Sequence, residues 1–92
     1  PTGGGTWPAL WILGDNITSA GWPACGEIDI MEHLGNQLNK IFGTLHHPGH
    51  SGGSADSRNV TITNATTEFH IYSLDWRADS IKFYVDNQIA NL

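Results

Sequence analysis

The segment Gly26–Glu32, which reads GEIDIME, places three carboxylates within six residues and separates them with aliphatic side chains. On a β-strand, residues two apart project from the same face. Glu27 and Asp29 therefore point one way, while Ile28 and Ile30 pack into the core behind them. In a helix, the three acids would be divided between different faces, so their closeness in sequence would not bring the carboxylates together. The pattern predicts a half-buried strand with an acidic face.

Glu32 departs from this alternation, because it lies five residues after Glu27 and strict alternation sends it to the opposite face. A β-bulge at Ile30-Met31, with Met31 as the inserted residue, resets the phase and returns Glu32 to the acidic face. Bulges are enriched beside active sites, where they re-aim a side chain. We therefore expect Glu27, Asp29 and Glu32 to line one surface.

Closely packed carboxyl groups cannot all stay ionised, so one of them is driven to hold its proton. Retaining glycoside hydrolysis uses such a set. One carboxylate attacks the sugar, and a second carboxyl, about 5–5.5 Å away, protonates the leaving oxygen and later activates water. The acids alone also fit a solvated strand face or a calcium site built from carboxylates.

The rest of the chain is rich in strand patterns separated by Gly, Pro, Asn and Ser. The apolar run Trp7–Leu13 predicts a buried strand, and a tight turn is predicted at 77–80. Helical periodicity is not evident. Further strands are predicted at 41–46, 59–63, 69–76 and 81–86. Short strands at this spacing predict an all-β fold, an antiparallel sandwich or jelly roll.

Composition excludes several classes of partner and limits the size of the fold. The formal net charge is −5 with only four Lys and Arg, which argues against nucleic acid and anionic membranes as partners. No apolar run is long enough to span a bilayer, and no signal segment opens the sequence. Ninety-two residues make at most one small domain. Because Ile89–Leu92 ends as if entering another strand, we expect an excerpt of a larger domain.

GEIDIME resembles the signature of glycoside hydrolase family 16: Glu, aliphatic, Asp, aliphatic, an optional extra residue, Glu. The optional residue is Met31 here, which is similar to the bulged branch of laminarinases and agar- and carrageenan-degrading members. Three further motifs occur in the order seen in the family's endo-β-1,3-glucanases. With the acidic segment, these are WPALWILG, GWPACGEIDIMEHLG, GTLHHPGHSGG and the pair FHIYSLDW and IKFYVD.

The resemblance implies a concanavalin A-like jelly roll of two curved antiparallel sheets, with the substrate cleft across the concave sheet. Residues 1–92 would be the central part of a single catalytic domain, without its N- and C-terminal strands. Glu27 would be the nucleophile, Glu32 the acid/base and Asp29 the assisting carboxylate. The implied activity is retaining, endo-acting hydrolysis of internal β-1,3-glucosidic bonds in laminarin-like β-glucans.

Several aromatic side chains are candidates for sugar contacts, because sugar rings present apolar C–H faces on which indole rings stack. Trp22 lies in a loop five residues before Glu27, and we expect it to form a sugar platform. Trp7 and Trp11 share one strand phase, and Trp11 fits either the cleft or the core. Trp76 ends an alternating strand and is predicted to be core.

Five histidines are present, and three of them, His46, His47 and His50, crowd one loop. His46 matches a strand-end His that the resemblance places near the bound sugar. Metal binding by the loop is an alternative, since imidazoles at short spacing can chelate. The segment offers no obvious further ligand, so we predict no metal there. His33 is expected to be structural, because alternation turns it away from Glu32.

No cofactor is expected, although the resemblance allows a structural calcium ion in the full-length domain. The expected protein is a secreted monomer whose partner is a β-glucan polysaccharide. Two alternatives stay open: a β-glucan-binding module that does not hydrolyse, and an enzyme of the same fold acting on agar, carrageenan or mixed-linkage glucan. The presence of both Glu27 and Glu32 favours an enzyme. The pairing state of Cys25 is left open.

Overall fold

The computed structural model describes residues 1–90 as two antiparallel β-sheets, which confirms the all-β prediction. The first sheet has the order β1-β2-β3-β4 and the second has the order β5-β6-β7. The strands are β1 (Ala9–Leu13), β2 (Glu27–Glu32), β3 (Lys40–His46), β4 (Asp56–Thr61), β5 (Tyr72–Arg77), β6 (Ser80–Val85) and β7 (Gln88–Ile89). The sequence predicts that a further strand begins within 89–92. Ile89 is the last residue of β7, and Asn91 and Leu92 lie outside the described residues.

Two short helical turns lie in loops where the sequence predicts no helix. One is a single α-helical turn, Ile17–Ala20, and the other is a 3-10 turn, Gly52–Ser54. Neither contains a buried residue, so neither produces the apolar periodicity by which helices are recognised. No helix within residues 1–90 has the length and apolar character needed to cross a membrane.

The core joins the two sheets. Ile41 and Val60 from the first sheet pack with Ile62 and with Val85 from the second. Pairing between strands is regular across β3 and β4, and across β5 and β6 with a turn at 78–79 as predicted. The apolar residues of this cluster lie between the two sheets, so the opposite face of the first sheet is available for a functional site.

Gly43 allows the sheets to approach closely. A Cβ atom added at this position would lie 2.3 Å from Cγ of Phe83, a residue of β6 that is itself buried. The Phe83 ring therefore occupies the space that a side chain would need. Gly43 lies in the middle of β3, the strand that pairs with β2 in the first sheet, so this contact also positions the neighbour of the acidic strand.

β2 contains the bulge that the sequence predicts at Ile30-Met31. Against β1, Leu10 pairs with Met31 and Trp11 pairs with Asp29, which leaves Ile30 without a partner. The prediction that Met31 is the inserted residue is therefore wrong for this ladder. Met31 keeps its partner and packs against the core cluster, because its side chain points to the space between the sheets.

On the other side of β2, the bulge changes which residues share a face. Asp29 pairs with Thr44 and Glu32 pairs with Phe42, so three steps along β2 match two steps along β3. This extra residue returns the Glu32 side chain to the face that carries Asp29. Ile28 is buried behind the acids as predicted, whereas Ile30, which was also predicted to be core, is only half-buried at the bulge.

Four predictions about the strands need correction. The run Trp7–Leu13 was predicted to be a buried strand, but β1 begins at Ala9 and four of its five residues are exposed. β5 begins at Tyr72, three residues later than predicted. β4 begins at Asp56, three residues earlier than predicted, because the polar residues 56–58 pair fully with β3. Trp76 was predicted to be core but is 64% exposed. It lines an apolar cavity of about 550 Å³ with Leu45 and Ile81, and this cavity is open to solvent in the part of the chain that the structure describes.

Candidate active site

The three acids of β2 line one cleft of about 420 Å³ on the outer face of the first sheet. Glu27 and Asp29 lie on the regular part of β2, and the bulge adds Glu32. The prediction that all three share a surface is confirmed. The remaining lining residues come from the chain before β1, the loop before β2, β3, the loop after β3 and β4: Trp7, Trp22, Thr44, His46, Gly52, Gly53, Ala55 and Ser57.

Asp29 is the buried member of the acidic set, with 3% of its surface exposed. Burial raises the pKa of Asp29 to about 8, and a hydrogen bond with Glu27 and the negative charges of Glu32 and Glu27 act in the same direction. At neutral pH, Asp29 is therefore mostly protonated. A neutral carboxyl between two glutamates can donate a hydrogen bond to either of them, which an ionised one cannot.

His46 determines which oxygen of Asp29 carries that proton. Its Nδ1 accepts a hydrogen bond from the backbone N–H of Gly52 at 3.1 Å. Its Nε2 lies 3.0 Å from Asp29 Oδ2. Because Nδ1 accepts, Nε2 bears the hydrogen and donates it to Oδ2. The proton of Asp29 is thus left to Oδ1, the oxygen available to the glutamates.

Trp22 holds the carboxylate of Glu27. Its indole Nε1 donates a hydrogen bond to Glu27 Oε2 at 2.7 Å, a short distance typical of a charged acceptor. The ring packs at an angle of 50° against the imidazole of His46, with 5.5 Å between ring centroids. Trp22 remains 46% exposed, so part of the ring faces the cleft. The structure therefore gives Trp22 a contact with Glu27 that the sequence did not reveal.

The two N-terminal tryptophans differ in position. Trp11 pairs with Asp29 across the β1–β2 ladder and is 54% exposed. It does not contribute to the lining of the cleft formed by the described residues. Trp7 does line the cleft, although the sequence analysis did not single it out. Trp7 precedes the first residue of β1, so strand alternation does not fix its direction.

The cleft also contains a hydroxyl pair that sequence reasoning missed. Thr44 Oγ1 lies 3.1 Å from Ser57 Oγ, and the two residues pair directly across β3 and β4. The available signal was parity, because Thr44 lies two residues before His46 and shares its face.

His33 behaves as predicted. It is buried, and its Nε2 lies 3.0 Å from the carbonyl oxygen of Leu38.

Comparison with known proteins fits this geometry. The model of the family "Glycosyl hydrolases family 16" matches residues 1–92, the whole chain. The chain belongs to glycosyl hydrolase family 16. Within the family, it is 41% identical over 93 residues to a β-glucanase of Rhodothermus marinus, covering 97% of this chain and 32% of that protein.

Solved structures of the family agree in fold. The laminarinase catalytic domain of Thermotoga maritima superposes with a TM-score of 0.92 at 46% identity, covering 97% of this chain and 37% of that one. The endo-β-1,3-glucanase of Pyrococcus furiosus gives a TM-score of 0.92 at 47% identity, covering 97% and 35%. The chain thus spans about a third of the length of these family 16 relatives.

Proposed function

We propose that this chain forms the catalytic centre of a retaining endo-β-1,3-glucanase that acts on laminarin-like β-glucans. The observation that carries the proposal is the arrangement of Glu27, Asp29 and Glu32 in one cleft, with the buried and neutral Asp29 between the two glutamates. Two carboxyl groups flanking a scissile bond are the requirement for this reaction. The proposal also holds that residues 1–92 are the central part of a larger catalytic domain.

In the first step, Glu27 attacks the anomeric carbon. Its Oε2 is occupied by the indole N–H of Trp22, so Oε1 is the attacking oxygen. The reactive form of the enzyme has Glu27 ionised and Glu32 protonated. The bond from the anomeric carbon to Oε1 forms as the glycosidic C–O bond breaks, and Glu32 gives its proton to the leaving oxygen. In the second step, Glu32 takes a proton from water, and the resulting hydroxide oxygen displaces Glu27 from the sugar.

Asp29 stabilises both states of this cycle by redirecting one hydrogen bond. Before attack, its Oδ1 proton faces the carboxylate of Glu27. Once Glu27 is esterified, its oxygens are weaker acceptors, and Glu32 has become negative by losing its proton. The Asp29 proton then turns toward Glu32, the other acid with which it shares a hydrogen bond. His46 keeps Asp29 in place throughout, because it donates to the opposite oxygen.

The substrate class is proposed from the relatives and from the aromatic rings. The Pyrococcus furiosus relative is an endo-β-1,3-glucanase and the Thermotoga maritima relative is a laminarinase. Trp7 and Trp22 present ring surface to the cleft, which suits the apolar faces of glucosyl units. A polysaccharide chain lying across the first sheet would contact both rings and pass over the acids.

The test is a pair of matched Glu→Gln substitutions in the full-length protein. Glu27→Gln should reduce release of reducing sugar from laminarin by at least about 1,000-fold while the fold is retained. Glu68→Gln is the control, because Glu68 accepts a hydrogen bond from Asn64 outside the cleft and should leave activity unchanged. Undiminished hydrolysis by Glu27→Gln would refute the mechanism.

A panel of defined polysaccharides separates the substrate from the mechanism. We expect laminarin to be cleaved faster than agar, carrageenan or mixed-linkage glucan. Binding of laminarin by the wild-type protein without any hydrolysis would instead identify a glucan-binding module. Faster cleavage of another polymer would overturn the substrate assignment and leave the roles of the carboxyl groups intact.

A further inference from the structure

A second cluster of charged and ligating side chains lies outside the cleft, in the loop after β3. Residues 47–56, termed here the rim loop, begin with His47-Pro48-Gly49-His50. His47 and His50 form a tight turn, with their backbone N–H and carbonyl groups hydrogen-bonded in both directions at 2.9 Å. Gly49 adopts a φ of 84°, which matches the third residue of a Pro-Gly turn. The turn therefore places two imidazoles side by side.

The imidazole rings are stacked, with centroids 4.8 Å apart and an interplanar angle of 23°. The carboxylate of Asp56, at the start of β4, faces both of them. Its Oδ2 lies 2.8 Å from His47 Nε2 and its Oδ1 lies 3.6 Å from His50 Nδ1. Asp56 also pairs with Leu45 of β3, so the loop is closed at its base. The three side chains converge from both ends of the rim loop.

We propose that His47, His50 and Asp56 bind a divalent transition-metal ion of the Zn²⁺ class. One ligand atom from each residue lies within 4.8 Å of the others. Ligands that share a Zn²⁺ ion at about 2.0–2.2 Å are separated by roughly 3–4 Å, so small side-chain rotations complete the site. A set of two imidazole nitrogens and one carboxylate oxygen suits Zn²⁺, whereas Ca²⁺ and Mg²⁺ prefer oxygen ligands alone.

The sequence argued against a metal in this loop because no further ligand was apparent near the histidines. Asp56 is that ligand, and it is separated from His50 by five residues of Gly, Ser and Ala. All three side chains are at least partly exposed, which allows an ion to enter and water to complete the coordination.

A metal at this position would fix one wall of the cleft. Gly52, Gly53 and Ala55 of the rim loop line the cleft, and Gly52 donates its backbone N–H to His46. An ion held by both ends of the loop restricts the movement of this segment. The expected role is therefore to order the rim rather than to take part in chemistry. The site and its test are independent of the reaction proposed for the acids.

The cleft has its own group of nearby ligand atoms, from Glu27, Asp29 and His46. Both ring nitrogens of His46 are already hydrogen-bonded there, to Asp29 and to Gly52. A zinc titration must nevertheless distinguish the two positions. Substitutions in the rim loop leave the cleft group unchanged, so any binding in the cleft is common to all variants.

The experiment is titration of the chelator-treated full-length protein with ZnCl2, followed by calorimetry and by competition with a chromophoric chelator. The variants are the double substitution His47→Gln/His50→Gln and the single substitution Asp56→Asn. Asp86→Asn is the matched control. Asp86 forms a His–Asp pair with His70 at 2.9 Å but belongs to no three-ligand group among residues 1–90.

We expect the wild-type protein and Asp86→Asn to bind one more equivalent of Zn²⁺ than the double variant. Asp56→Asn should bind at this site at least about tenfold more weakly. Zinc should also raise the melting temperature of the wild-type protein by more than that of the double variant, because only the native loop assembles the site. Equal stoichiometry and affinity in all four proteins, or no zinc binding by the wild type, would overturn the proposal.

Discussion

Replacement of Asp29 by Asn removes the carboxyl group whose pKa is raised to about 8 from a usual value of 3.8. The Asn side chain has nearly the same shape, can accept the hydrogen bond from His46 and can donate one toward Glu27. It cannot ionise. The substitution therefore keeps the neutral form of the site and abolishes its titration.

The sign of the effect on stability follows from proton linkage. Between pH 3.8 and about 8, the folded wild-type protein holds a proton on Asp29 that the unfolded chain has released. Its free energy of unfolding therefore falls as pH rises through this window, by up to about 1.4 kcal/mol per pH unit. The stability contributed by the protonated carboxyl is complete below pH 3.8 and is lost by the time the folded group has titrated.

Integrated between pH 5 and pH 9, the loss due to Asp29 is about 4 kcal/mol. Urea unfolding at several pH values measures it directly. From pH 5 to pH 9, the free energy of unfolding of the wild-type protein should fall by about 4 kcal/mol more than that of Asp29→Asn. Titrating groups that do not interact with Asp29 are shared by the two proteins and cancel in the difference.

The control is Asp75→Asn, which removes a partly exposed carboxyl that pairs with Arg77 outside the cleft. Its pH profile should run parallel to that of the wild type. Parallel profiles for Asp29→Asn and the wild type would refute the conclusion that burial and the neighbouring glutamates keep Asp29 protonated. The role proposed for Asp29 in sharing a proton would then also be withdrawn.

Three further predictions concern the cleft, the sheet contact and the isolated chain. Trp22→Phe removes the indole donor on the nucleophile and should lower kcat/KM on laminarin by about 10- to 100-fold, measured by steady-state kinetics. Gly43→Ala forces a Cβ against the Phe83 ring and should reduce the free energy of unfolding by about 1–3 kcal/mol. Gly4→Ala is the control, because a Cβ at this position meets no atom within 4 Å and should leave the free energy of unfolding unchanged. Equal stability of the two variants would contradict close packing of Gly43 against Phe83. Residues 1–92 alone expose large apolar side chains and should give no cooperative melting transition by circular dichroism, so a sharp transition would count against the proposed larger domain.

The sequence predicts the acidic face well, because strand alternation and the bulge are local properties. Glu27 and Asp29 follow from a period of two, and Glu32 follows once one extra residue is inserted. The residue left unpaired is less predictable. Both Ile30 and Met31 are apolar, and the choice depends on which side chain the core accepts.

The contacts that hold the acids could not be predicted in the same way. The bonds of His46 to Asp29 and Gly52 join residues separated by loops whose paths the sequence does not specify. The same is true of Asp56, whose approach to His47 depends on strand pairing between β3 and β4. Family resemblance indicated that His46 is near the sugar, but its contact with Asp29 required coordinates.

The sequence predicts the directions of the tryptophan side chains least well. Trp7 and Trp11 have the same parity. Of these two residues, however, only Trp7 lines the cleft. Parity applies within a strand, and Trp7 precedes the first residue of β1. Trp76 has the parity of a core residue but borders an open cavity, since burial depends on what packs over a face as well as on which face a residue occupies.

The central claim is that Glu27 forms a covalent bond to the sugar, and active-site labelling tests it most directly. The full-length protein is incubated with a 2-deoxy-2-fluoro laminaribiosyl fluoride, digested and analysed by tandem mass spectrometry. Fluorine at C2 slows both steps and the fluoride leaving group restores the first, so the glycosyl-enzyme accumulates. We predict one label, on the peptide containing residues 26–32 and on Glu27 itself. A label on Glu32 or Asp29, or steady turnover with no labelled peptide, would contradict the account.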